Sequence, residues 1–456
     1  MKKALICFTF CFVLYNTPRV HAQNWYPIGA PAFSDSSAGY TSMAIDGSGT
    51  PYIVYSAGSY PFTAYGRATV MKYNGSNWVT VGSAGFSDST ALYTNIAIDG
   101  SGTPYVVYED VGNSNKATVM KYNGASWVTV GTAGFSAGEA GNTSIVIDGS
   151  GTPYVVYTDW ANSLRATVMK YNGSGWISVG SPGFSSGTTA FITLALDGSG
   201  TPYVAYQAGF LSSLNTGPAT VMKYNGSSWV IVGSPGFSGG GAESTSIAID
   251  TGGTPYVFYM DSVNGWKATV MKYNGSSWVN VGSPGFSAGE VAFTNIAIDR
   301  NGTPYVAYTD IANSDKATVM KYNGTSWVNI GSPGFSTGAA NQPCIAINGS
   351  GTLYVAYGDS SYSYRASVMR FGWPAGVINT TSPANSINLF PNPATKSLTI
   401  ASSENITNIT IATLLGQTVY SNQYNTSQVQ VDVADLLAGI YFVKVNGSKV
   451  QRFVKE

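Results

Sequence analysis

The sequence predicts an all-β protein, and three observations lead to that prediction. The 456-residue chain contains 54 glycines, whereas only 10% of its residues are charged. Aromatic residues make up 13% of the chain and recur beside β-branched ones at fixed positions. Many of its tryptophans are separated by 49 residues, which marks a repeated unit. Short β-branched and aromatic runs punctuated by glycine are typical of strands joined by tight turns.

The repeat has seven copies, each marked by the phrase A-T-V-M-K-Y-N-G or a close variant. The methionine of that phrase stands at Met71, Met120, Met169, Met222, Met271, Met320 and Met369. An outer phrase begins with Trp78, Trp127, Trp176, Trp229, Trp278 and Trp327, and Trp25 begins a divergent seventh copy. The tryptophan spacings are 53, 49 and 49 residues, and then the same again. This second period indicates duplication of a three-unit block, and it predicts that the two longer units, 1 and 4, depart from the pattern together.

Each unit contains four runs with strand chemistry, separated by turn signals. In the fifth unit these runs are Thr245–Asp250, Pro255–Tyr259, Ala268–Tyr273 and Trp278–Val281. Four strands per unit predict a seven-bladed β-propeller over residues 23–372, with an open solenoid as the alternative. The last unit has only three strands, and a lone strand, Trp25 to Gly29, precedes the first unit. We expect this N-terminal strand to complete the last blade and close the ring.

The repeat phrases resemble those of two propeller families. The phrase S-I-V-I-D-G-S-G-T-P-Y-V-V-Y-T-D followed by V-M-K-Y-N-G is similar to an NHL repeat. The order of an inner strand, Y-V-V-Y, a tyrosine strand and an outer tryptophan resembles Kelch repeats, although their Gly-Gly pair is absent. Both resemblances imply the propeller fold and leave the function open.

Residues 1–22 are typical of a signal peptide. Lys2 and Lys3 precede a short apolar run, and Val20-His21-Ala22 forms a small-residue cleavage site. Cleavage is therefore expected between Ala22 and Gln23. The apolar run is too short to span a bilayer as a helix, so no transmembrane segment is expected in the mature chain; an uncleaved anchor is the alternative.

Cleavage of the signal peptide changes the composition of the chain and so narrows the kinds of catalytic and binding site that it can contain. It removes His21, the only histidine, and leaves Cys344 as the one cysteine, so histidine-based catalysis, histidine-metal sites and disulfides are excluded. We therefore expect no cofactor and no metal, and we expect Cys344 to be a small buried side chain. Loss of Lys2, Lys3 and Arg19 reduces 22 basic residues to 19, against 22 acidic ones. This balance gives no reason to expect nucleic acid as a partner.

Comparison of the units with one another indicates a candidate ligand face. The loops between strands 1 and 2 and between strands 3 and 4 are nearly constant, whereas the other loops vary. Strand direction alternates, so the variable loops share one face, where binding residues are expected. A ring of seven positions precedes the innermost strands there: Tyr40, Tyr93, Asn142, Phe191, Ser244, Phe293 and Gln342. Aromatic and amide side chains suit a sugar or a peptide; packing at the channel mouth is the alternative interpretation.

The acidic residues mostly have structural explanations. One set is expected to cap the turns in which it stands: Asp46, Asp99, Asp148, Asp197, Asp250 and Asp299. A second set stands six residues before a Lys or Arg, which predicts cross-strand charge pairs: Asp110, Asp159, Asp261, Asp310 and Asp359. The variable loops also carry Glu109, Glu139, Glu243 and Glu290. A glycosidase needs two carboxylates at a defined separation, which sequence leaves open, so we assign no catalytic residue.

The repeat ends before a linker and a different C-terminal domain. Residues 373–386 are rich in Pro, Ser, Thr and Asn, as linkers are. Residues 387–456 alternate apolar and polar residues in short runs, which predicts a small immunoglobulin-like antiparallel β-sandwich. Its expected strands are Leu398–Ile400, Ile409–Ile411, Val429–Val433 and Ile440–Val445.

This C-terminal segment resembles the type A sorting domain of type IX secretion (Por secretion) cargo. The resemblance lies in N-L-F-P-N-P-A, L-L-G-Q, V-D-V-A-D-L-L-A-G-I-Y-F-V-K-V and the terminal K-V-Q-R-F-V-K-E, in that order. It implies a motif that includes Pro391, Asn392, Pro393, Gly416, Asp435, Gly439, Tyr441 and Lys455. It also implies Sec export, recognition of residues 387–456 by the secretion machinery and its sorting protease, frequent attachment to surface lipopolysaccharide, and a Bacteroidetes-type host.

These observations predict a secreted or cell-surface binding or adhesion protein whose propeller face binds a glycan or a protein. A polysaccharide-acting hydrolase or lyase is one alternative, and a purely structural surface component is another. An enzyme is expected to break the repeat with several unique polar residues at one place. The strongest break is apolar and is shared by units 1 and 4: Pro61, Phe62, Tyr65, Phe210 and Leu211. It suits contact with a partner better than catalysis.

Overall fold

A computed structural model describes residues 24–59, 64–209, 216–372, 387–413, 417–447 and 449–456. The expected signal peptide, its cleavage site at Ala22 and Gln23, and the linker at 373–386 lie outside these residues. So do Gly416 and the apolar residues Pro61, Phe62, Phe210 and Leu211. The chain divides into two compact units, residues 1–374 and 375–456, which are described separately.

The first unit is a seven-bladed β-propeller, as the repeat predicts. The first, innermost strands of blades 1 to 7 are Ser37–Ile45, Ala91–Ile98, Ala140–Ile147, Thr189–Leu196, Ala242–Ile249, Val291–Ile298 and Ala340–Ile347. The second strands are Pro51–Ser59, Pro104–Asp110, Pro153–Asp159, Pro202–Ala208, Pro255–Asp261, Pro304–Asp310 and Leu353–Asp359. The third strands are Ala64–Tyr73, Lys116–Tyr122, Arg165–Tyr171, Ala219–Tyr224, Lys267–Tyr273, Lys316–Tyr322 and Arg365–Gly372. The fourth, outermost strands are Trp78–Thr80, Trp127–Thr129, Trp176–Ser178, Trp229–Ile231, Trp278–Asn280, Trp327–Asn329 and, for blade 7, Asn24–Pro27.

The N-terminal strand closes the ring, which confirms that prediction. Asn24–Pro27 pairs antiparallel with Arg365–Gly372 of blade 7. The Trp25 indole N–H donates to the Ile330 carbonyl at 2.6 Å, and the indole stacks on Phe335 at 4.4 Å between ring centroids. Apolar clusters lie between all seven pairs of neighbouring blades, including the pair formed by blades 7 and 1. The hydrophobic core is therefore a ring of seven inter-blade cores.

The loops between the second and third strands follow the predicted block pattern. Blades 2, 3, 5, 6 and 7 each carry a short 3-10 helix: Val111–Asn113, Trp160–Asn162, Ser262–Asn264, Ile311–Asn313 and Ser360–Tyr362. Blades 1 and 4 have no such helix in their described residues. In blade 1 the second strand instead continues to Ser59, and the third strand already begins at Ala64. These are the two blades with four extra residues.

Strand boundaries differ from the prediction at the inner strands. The first strand of blade 5 begins at Ala242 rather than Thr245, because Ala242 and Glu243 already pair with the second strand. An irregularity follows between Glu243 and Ser246, and the pairing then continues. An extra residue inserted into one strand of an antiparallel pair lets the ladder continue on both sides of it. The same irregularity occurs in the inner strand of every blade.

The second unit is one antiparallel sheet that curls around a single core. Its strands are Ile387–Phe390, Ser397–Thr413, Thr418–Asp432, Gly439–Val445 and Lys449–Lys455. The two predicted runs Leu398–Ile400 and Ile409–Ile411 belong to one long strand, Ser397–Thr413. This strand pairs with Ile387–Phe390 through its first half and with Gly439–Val445 through its second, and its pairing with Thr418–Asp432 contains register shifts. Ala394 bridges to Lys455, so the sheet is nearly closed around its buried residues.

Candidate functional site

The seven ring positions of the variable face share an unusual backbone conformation. Each lies at the irregularity in its inner strand and has a positive φ, between 47° and 52°. Non-glycine residues rarely adopt this left-handed conformation, and it is least favourable for bulky side chains. Here the β-bulge in the inner strand of each blade produces this left-handed conformation. The residues are Tyr40, Tyr93, Asn142, Phe191, Ser244, Phe293 and Gln342.

All seven ring residues line one cavity of about 300 Å³. A deeper tier of small polar side chains lies beneath them and includes Ser42, Asn95, Ser144, Thr193, Asn295 and Cys344. Part of this tier is structural, because the Asn95 and Asn295 amide oxygens accept bonds from Ile145 N–H and Ile345 N–H of the next blade. The structure therefore brings the predicted residues together around one cavity, and their role in binding stays a prediction.

Threonine hydroxyls hold the ring backbone from one blade to the next. The Thr94 hydroxyl donates to the Tyr40 carbonyl at 2.6 Å, and the Thr143 hydroxyl donates to the Tyr93 carbonyl at 2.7 Å. Thr41, Thr245 and Thr294 make the same bond at three other boundaries. Ile192 and Pro343 occupy this position in blades 4 and 7 and have no hydroxyl to donate. Since backbone bonds fix the bulge, the ring side chains are free to differ.

Three tyrosines form a cluster at one side of the mouth. The Tyr40 ring lies 4.7 Å from that of Tyr93 and 4.9 Å from that of Tyr65, between ring centroids. Tyr65 belongs to the third strand of blade 1, at the break in the repeat noted from the sequence. Burial, and then the neighbouring Tyr93, raises the pKa of Tyr40, so its hydroxyl stays protonated. No other blade among the described residues has such a cluster in the ring.

Glu109 is a buried acid beside this cluster. It lies in the second strand of blade 2 and is only 5% exposed. Burial, and then the like charge of Glu139, raises its pKa to about 7. Burial, and then Glu109, also raises the pKa of Tyr93, which indicates that the two groups are close.

Glu109 and Glu243 were expected on variable loops, but they lie in the second strand of blade 2 and the first strand of blade 5. Glu109 had no assigned role, although the sequence contains a signal for it. The same position of the second strand is occupied by Ser56, Thr158, Gln207, Met260, Thr309 and Gly358 in the other blades, so it varies within an otherwise uniform strand. Its pairing partner is Leu92, the residue before Tyr93. A position that varies next to the ring and is buried in most blades could have been recognised as part of the candidate site.

Gly141 leaves space between the Glu109 carboxylate and an exposed indole. A Cβ atom at Gly141 would lie 3.9 Å from Glu109 Oε2 and 3.9 Å from Trp160 Nε1. Trp160 is 54% exposed on the 3-10 helix of blade 3, and Glu139 precedes the inner strand of the same blade. One sector of the face, formed by blades 1 to 3, thus combines tyrosines, an indole and two carboxylates. We call these residues the blade 1–3 sector: Tyr40, Tyr65, Tyr93, Glu109, Glu139 and Trp160.

The predicted charge pairs at the second hairpin are wrong. Asp159 does face Arg165 in the strand register, but its carboxylate is buried and accepts bonds from Thr167, Asn162 and the Ala161 N–H at 2.7, 2.9 and 3.0 Å. Asp110, Asp261 and Asp310 bond in the same way to a threonine and an asparagine. No ion pair joins these carboxylates to Lys or Arg among the described residues. Hydroxyl, amide and backbone donors from the turn bond to these carboxylates, although Asp110 Oδ1 and Asp310 Oδ1 accept no hydrogen bond from the described residues.

One other structural expectation holds, and the expectation of a buried Cys344 is met only in part, because Cys344 is half-buried and lines the cavity. The Asp46 carboxylate accepts from Ser48 N–H and Thr50 N–H, each at 2.9 Å, so it caps its own turn, and its counterparts do the same. The Cys344 thiol donates to the Ala356 carbonyl at 3.6 Å. Burial raises its pKa to about 12, which keeps the thiol protonated and unreactive.

Most of the described residues of the sorting motif make contacts that close the sheet of the C-terminal unit. Asn392 Oδ1 accepts from the Val454 N–H at 2.9 Å, and Ala394, after Pro393, exchanges backbone bonds with Val454 and Glu456. Pro391 lies in the same turn. Tyr441 is buried, stacks on Phe453 and donates to the Leu437 carbonyl at 2.9 Å. Lys455 is also buried, whereas Asp435 and Gly439 are exposed.

Residues 388–456 match the family described as the secretion system C-terminal sorting domain. The C-terminal unit is a sorting domain. The type IX resemblance drawn from its motifs is thereby confirmed. The sorting domain indicates export through the type IX system to the cell surface or beyond it, and it implies interaction with the type IX machinery.

Comparison with solved structures supports the fold of the propeller. An ulvan lyase of polysaccharide lyase family PL25, bound to -[GlcA(1-4)Rha3S]-, matches 75% of this chain and 96% of its own, at 13% identity and a TM-score of 0.51. PorZ, a surface component of the type IX secretion system of Porphyromonas gingivalis, matches 92% of this chain at 14% identity and a TM-score of 0.45; the chain spans 60% of PorZ. An alpha-L-arabinofuranosidase from Fusarium graminearum matches 77% of this chain and 97% of its own, at 11% identity and a TM-score of 0.43. At 13% identity the ulvan lyase match indicates the fold alone. No curated protein sequence matches the chain.

Long apolar helices and clusters of metal-ligating side chains are both absent from the described residues. None of the helices there has the length and apolar character needed to cross a bilayer. Those same residues contain no group of three or more His, Cys, Asp or Glu side chains placed to hold a metal ion.

Proposed function

We propose that this chain is a secreted or cell-surface binding protein whose propeller binds a glycan at the mouth of the axial cavity. The blade 1–3 sector is the proposed site. The observation that supports it most is the tyrosine cluster of Tyr40, Tyr65 and Tyr93 beside the buried Glu109. This sector departs from the uniform repeat with aromatic and polar groups at one place.

The chemistry of this sector suits a sugar. Aromatic rings provide apolar surface for the C–H face of a pyranose, and tyrosine hydroxyls and carboxylates bond its hydroxyl groups. A concave site of about 300 Å³ lined by aromatic and amide side chains fits one or two sugar units. The bulges hold the ring residues in place before a ligand arrives, which lowers the entropic cost of binding.

A polysaccharide-cleaving enzyme is the second candidate, and Glu109 is the observation that favours it. A carboxyl group with a pKa of about 7 near a second carboxylate, Glu139, can exchange protons at neutral pH. Tyr93 lies near the same carboxyl group. In that case Glu109 would act as general acid or base on a glycan held by the tyrosines.

A glycan array with the full chain tests the proposal. We expect a defined set of oligosaccharides to bind. Tyr93→Ala should weaken their binding at least about tenfold, which corresponds to about 1.4 kcal/mol of binding free energy. Tyr362→Ala is the matched control, because Tyr362 is an exposed tyrosine on the same face in blade 7. Equal binding by both variants would contradict the proposed site, and a protein ligand with no glycan hit would contradict the ligand class.

Glu109→Gln separates binding from catalysis. If the site only binds, the variant retains oligosaccharide binding and the chain releases no reducing ends from the polysaccharides of the hits. Release of reducing ends by the natural chain, lost in Glu109→Gln, would establish the enzyme instead.

For the C-terminal unit, we propose recognition of residues 387–456 by the secretion machinery followed by cleavage in residues 373–386 by the sorting protease. The match to the sorting domain family supports this proposal. Mass spectrometry of the surface-exposed protein is expected to find a new C-terminus within 373–386. Recovery of intact residue 456 at the surface would contradict it.

A further inference from the structure

The face opposite the blade 1–3 sector carries a repeated cleft. In blade 3 this cleft has a volume of about 630 Å³ and lies between two constant turns, Asp148–Tyr154 and Lys170–Gly173. Tyr105 and Lys121 of blade 2 close its side. Equivalent clefts of about 510, 420 and 540 Å³ occur at blades 4, 6 and 1. The cleft is therefore a property of the repeat rather than of one blade.

The cleft of blade 3 presents three functional groups. Lys170 Nζ lies 5.8 Å from the ring centroid of Tyr154, and four other blades repeat this lysine–tyrosine arrangement at the same distance. Burial, and then the Asp148 carboxylate, raises the pKa of Tyr154, so the carboxylate lies near the phenol. Asp148 Oδ1 is used by the turn, which leaves Oδ2 available as an acceptor. An ammonium donor, a carboxylate acceptor and an aromatic ring form a set that can recognise sugar hydroxyl groups.

The charges of the clefts nearly cancel. Blades 1 to 6 each bring one aspartate and one lysine to this face, such as Asp148 and Lys170 in blade 3, while Arg300 of blade 6 and Arg370 of blade 7 add two positive charges. The face thus has no strong field of one sign that would attract a polyanion. Its groups suit a neutral saccharide better than a sulfated or uronate-rich one.

The cleft position holds a basic residue in every blade, and the contact of this residue with the tyrosine ring is one reason for this. It is present in all seven blades and half-exposed: Lys72, Lys121, Lys170, Lys223, Lys272, Lys321 and Arg370. Substitutions at such surface positions usually change stability by no more than about 0.5 kcal/mol. The variable-face loops of the same repeats have diverged in length and residue type. A shared ligand at each blade accounts for this contrast between the two faces.

We infer that the constant-turn face is a multivalent binding surface for neutral saccharides, with one shallow site at each cleft. A single cleft provides few contacts and binds weakly. Several clefts on one rigid ring raise the avidity for a clustered or repeating glycan by about 10²–10⁴. This inference does not rest on the blade 1–3 sector, which lies on the other face.

The test compares two triple variants of the full chain that change charge equally on opposite faces. Lys121→Gln/Lys170→Gln/Lys223→Gln removes ammonium groups from three clefts. Lys116→Gln/Lys267→Gln/Lys316→Gln removes the same charge from third-strand ends on the variable face. The probe is albumin carrying many copies of each neutral oligosaccharide of a glycan array, with albumin carrying sulfated oligosaccharides beside it. Denaturation midpoints of both variants confirm that they fold.

We expect the neutral probe to bind, the cleft triple variant to lose at least about a hundredfold in avidity, and the variable-face triple variant to match the natural chain. Titration calorimetry with the free oligosaccharide should give more than one site per chain. Equal loss in both triple variants, or a preference for the sulfated probe, would overturn the inference. A single site per chain that is lost in Tyr93→Ala would overturn it as well, while it would support the proposed function.

Discussion

The Glu109 carboxylate is an acid whose ionisation the fold shifts into the neutral pH range. Its pKa in the folded chain is about 7, above the ordinary glutamate value of 4.5, so folding favours the protonated form. Its contribution to stability is complete below about pH 4.5 and is lost as the pH rises through about 7. We expect the free energy of unfolding to fall by about 1–3 kcal/mol across this window, the lower end reflecting solvent screening.

Urea denaturation at pH 5, 7 and 8.5 checks this prediction. Glu109→Gln should flatten the dependence on pH, whereas Glu290→Gln, which removes the same charge from an exposed position of blade 6, should not. A parallel slope in all three proteins would show that Glu109 is not the source.

Asp159 and Arg165 provide a second prediction at the residue scale. The Asp159 carboxylate is 1% exposed and accepts three hydrogen bonds within its turn, none of them from Arg165. Asp159→Ala should therefore destabilise the propeller by about 2–4 kcal/mol, because it leaves buried donors unpaired. Arg165→Ala should cost less than about 0.5 kcal/mol. Similar losses in both variants, measured by thermal unfolding, would restore the charge-pair interpretation.

At the scale of elements, the outer tryptophans link each blade to the preceding one. The Trp127 indole stacks on Phe86 at 4.1 Å between centroids and donates to the Val81 carbonyl at 2.7 Å. The same pair of contacts occurs for every outer tryptophan, including Trp25. Trp25 is close to the expected mature N-terminus, yet it takes part in the ring as fully as the internal copies.

We expect Trp25→Ala to destabilise the propeller by about 3–5 kcal/mol, as Trp127→Ala does, because each removes a buried indole from an inter-blade core. Trp160→Ala is the control, since Trp160 is mostly exposed and should change stability little. Chemical denaturation of the three variants measures the effect. A loss for Trp25→Ala no larger than that for Trp160→Ala would mean that the N-terminal strand does not hold the ring closed.

The elements themselves were predicted well where the pattern is local. Strand number, order and punctuation follow from alternation and turn residues, as in Pro255–Asp261. The bulge at Tyr93 and the 3-10 helix at Trp160–Asn162 were missed. A bulge leaves no regular trace in alternation, because it depends on how two strands twist against each other. The long strand Ser397–Thr413 was divided for the same reason, since its register shifts interrupt the apolar pattern.

At the scale of the whole molecule, the two units have separate cores and different tasks. The buried residues of 387–456 form their own cluster, so the propeller should fold without them. Deletion of 387–456 is therefore expected to leave a folded propeller in the periplasm instead of at the surface. Cell fractionation, with proteolysis of intact cells, measures the distribution. Surface display at the normal level after deletion would contradict this prediction.

A fusion of residues 373–456 to an unrelated periplasmic protein is the matched control for that deletion. If these residues suffice for sorting, the fused protein reaches the surface. A fusion that stays in the periplasm while the natural chain is displayed would show that the propeller also contributes to sorting.

The all-β class, the seven blades, the closure by the N-terminal strand and the sorting domain could all be predicted from the amino-acid sequence. Each of these follows from a periodic or ordered pattern of residues along the chain. Only the tertiary structure decided what surrounds Glu109, which donors satisfy Asp159, and that Tyr40, Tyr65 and Tyr93 meet at one side of the cavity. These features depend on burial and on distances between residues far apart in sequence, such as Tyr40 and Tyr93. Ring closure sets those distances, and no local sequence pattern predicts them.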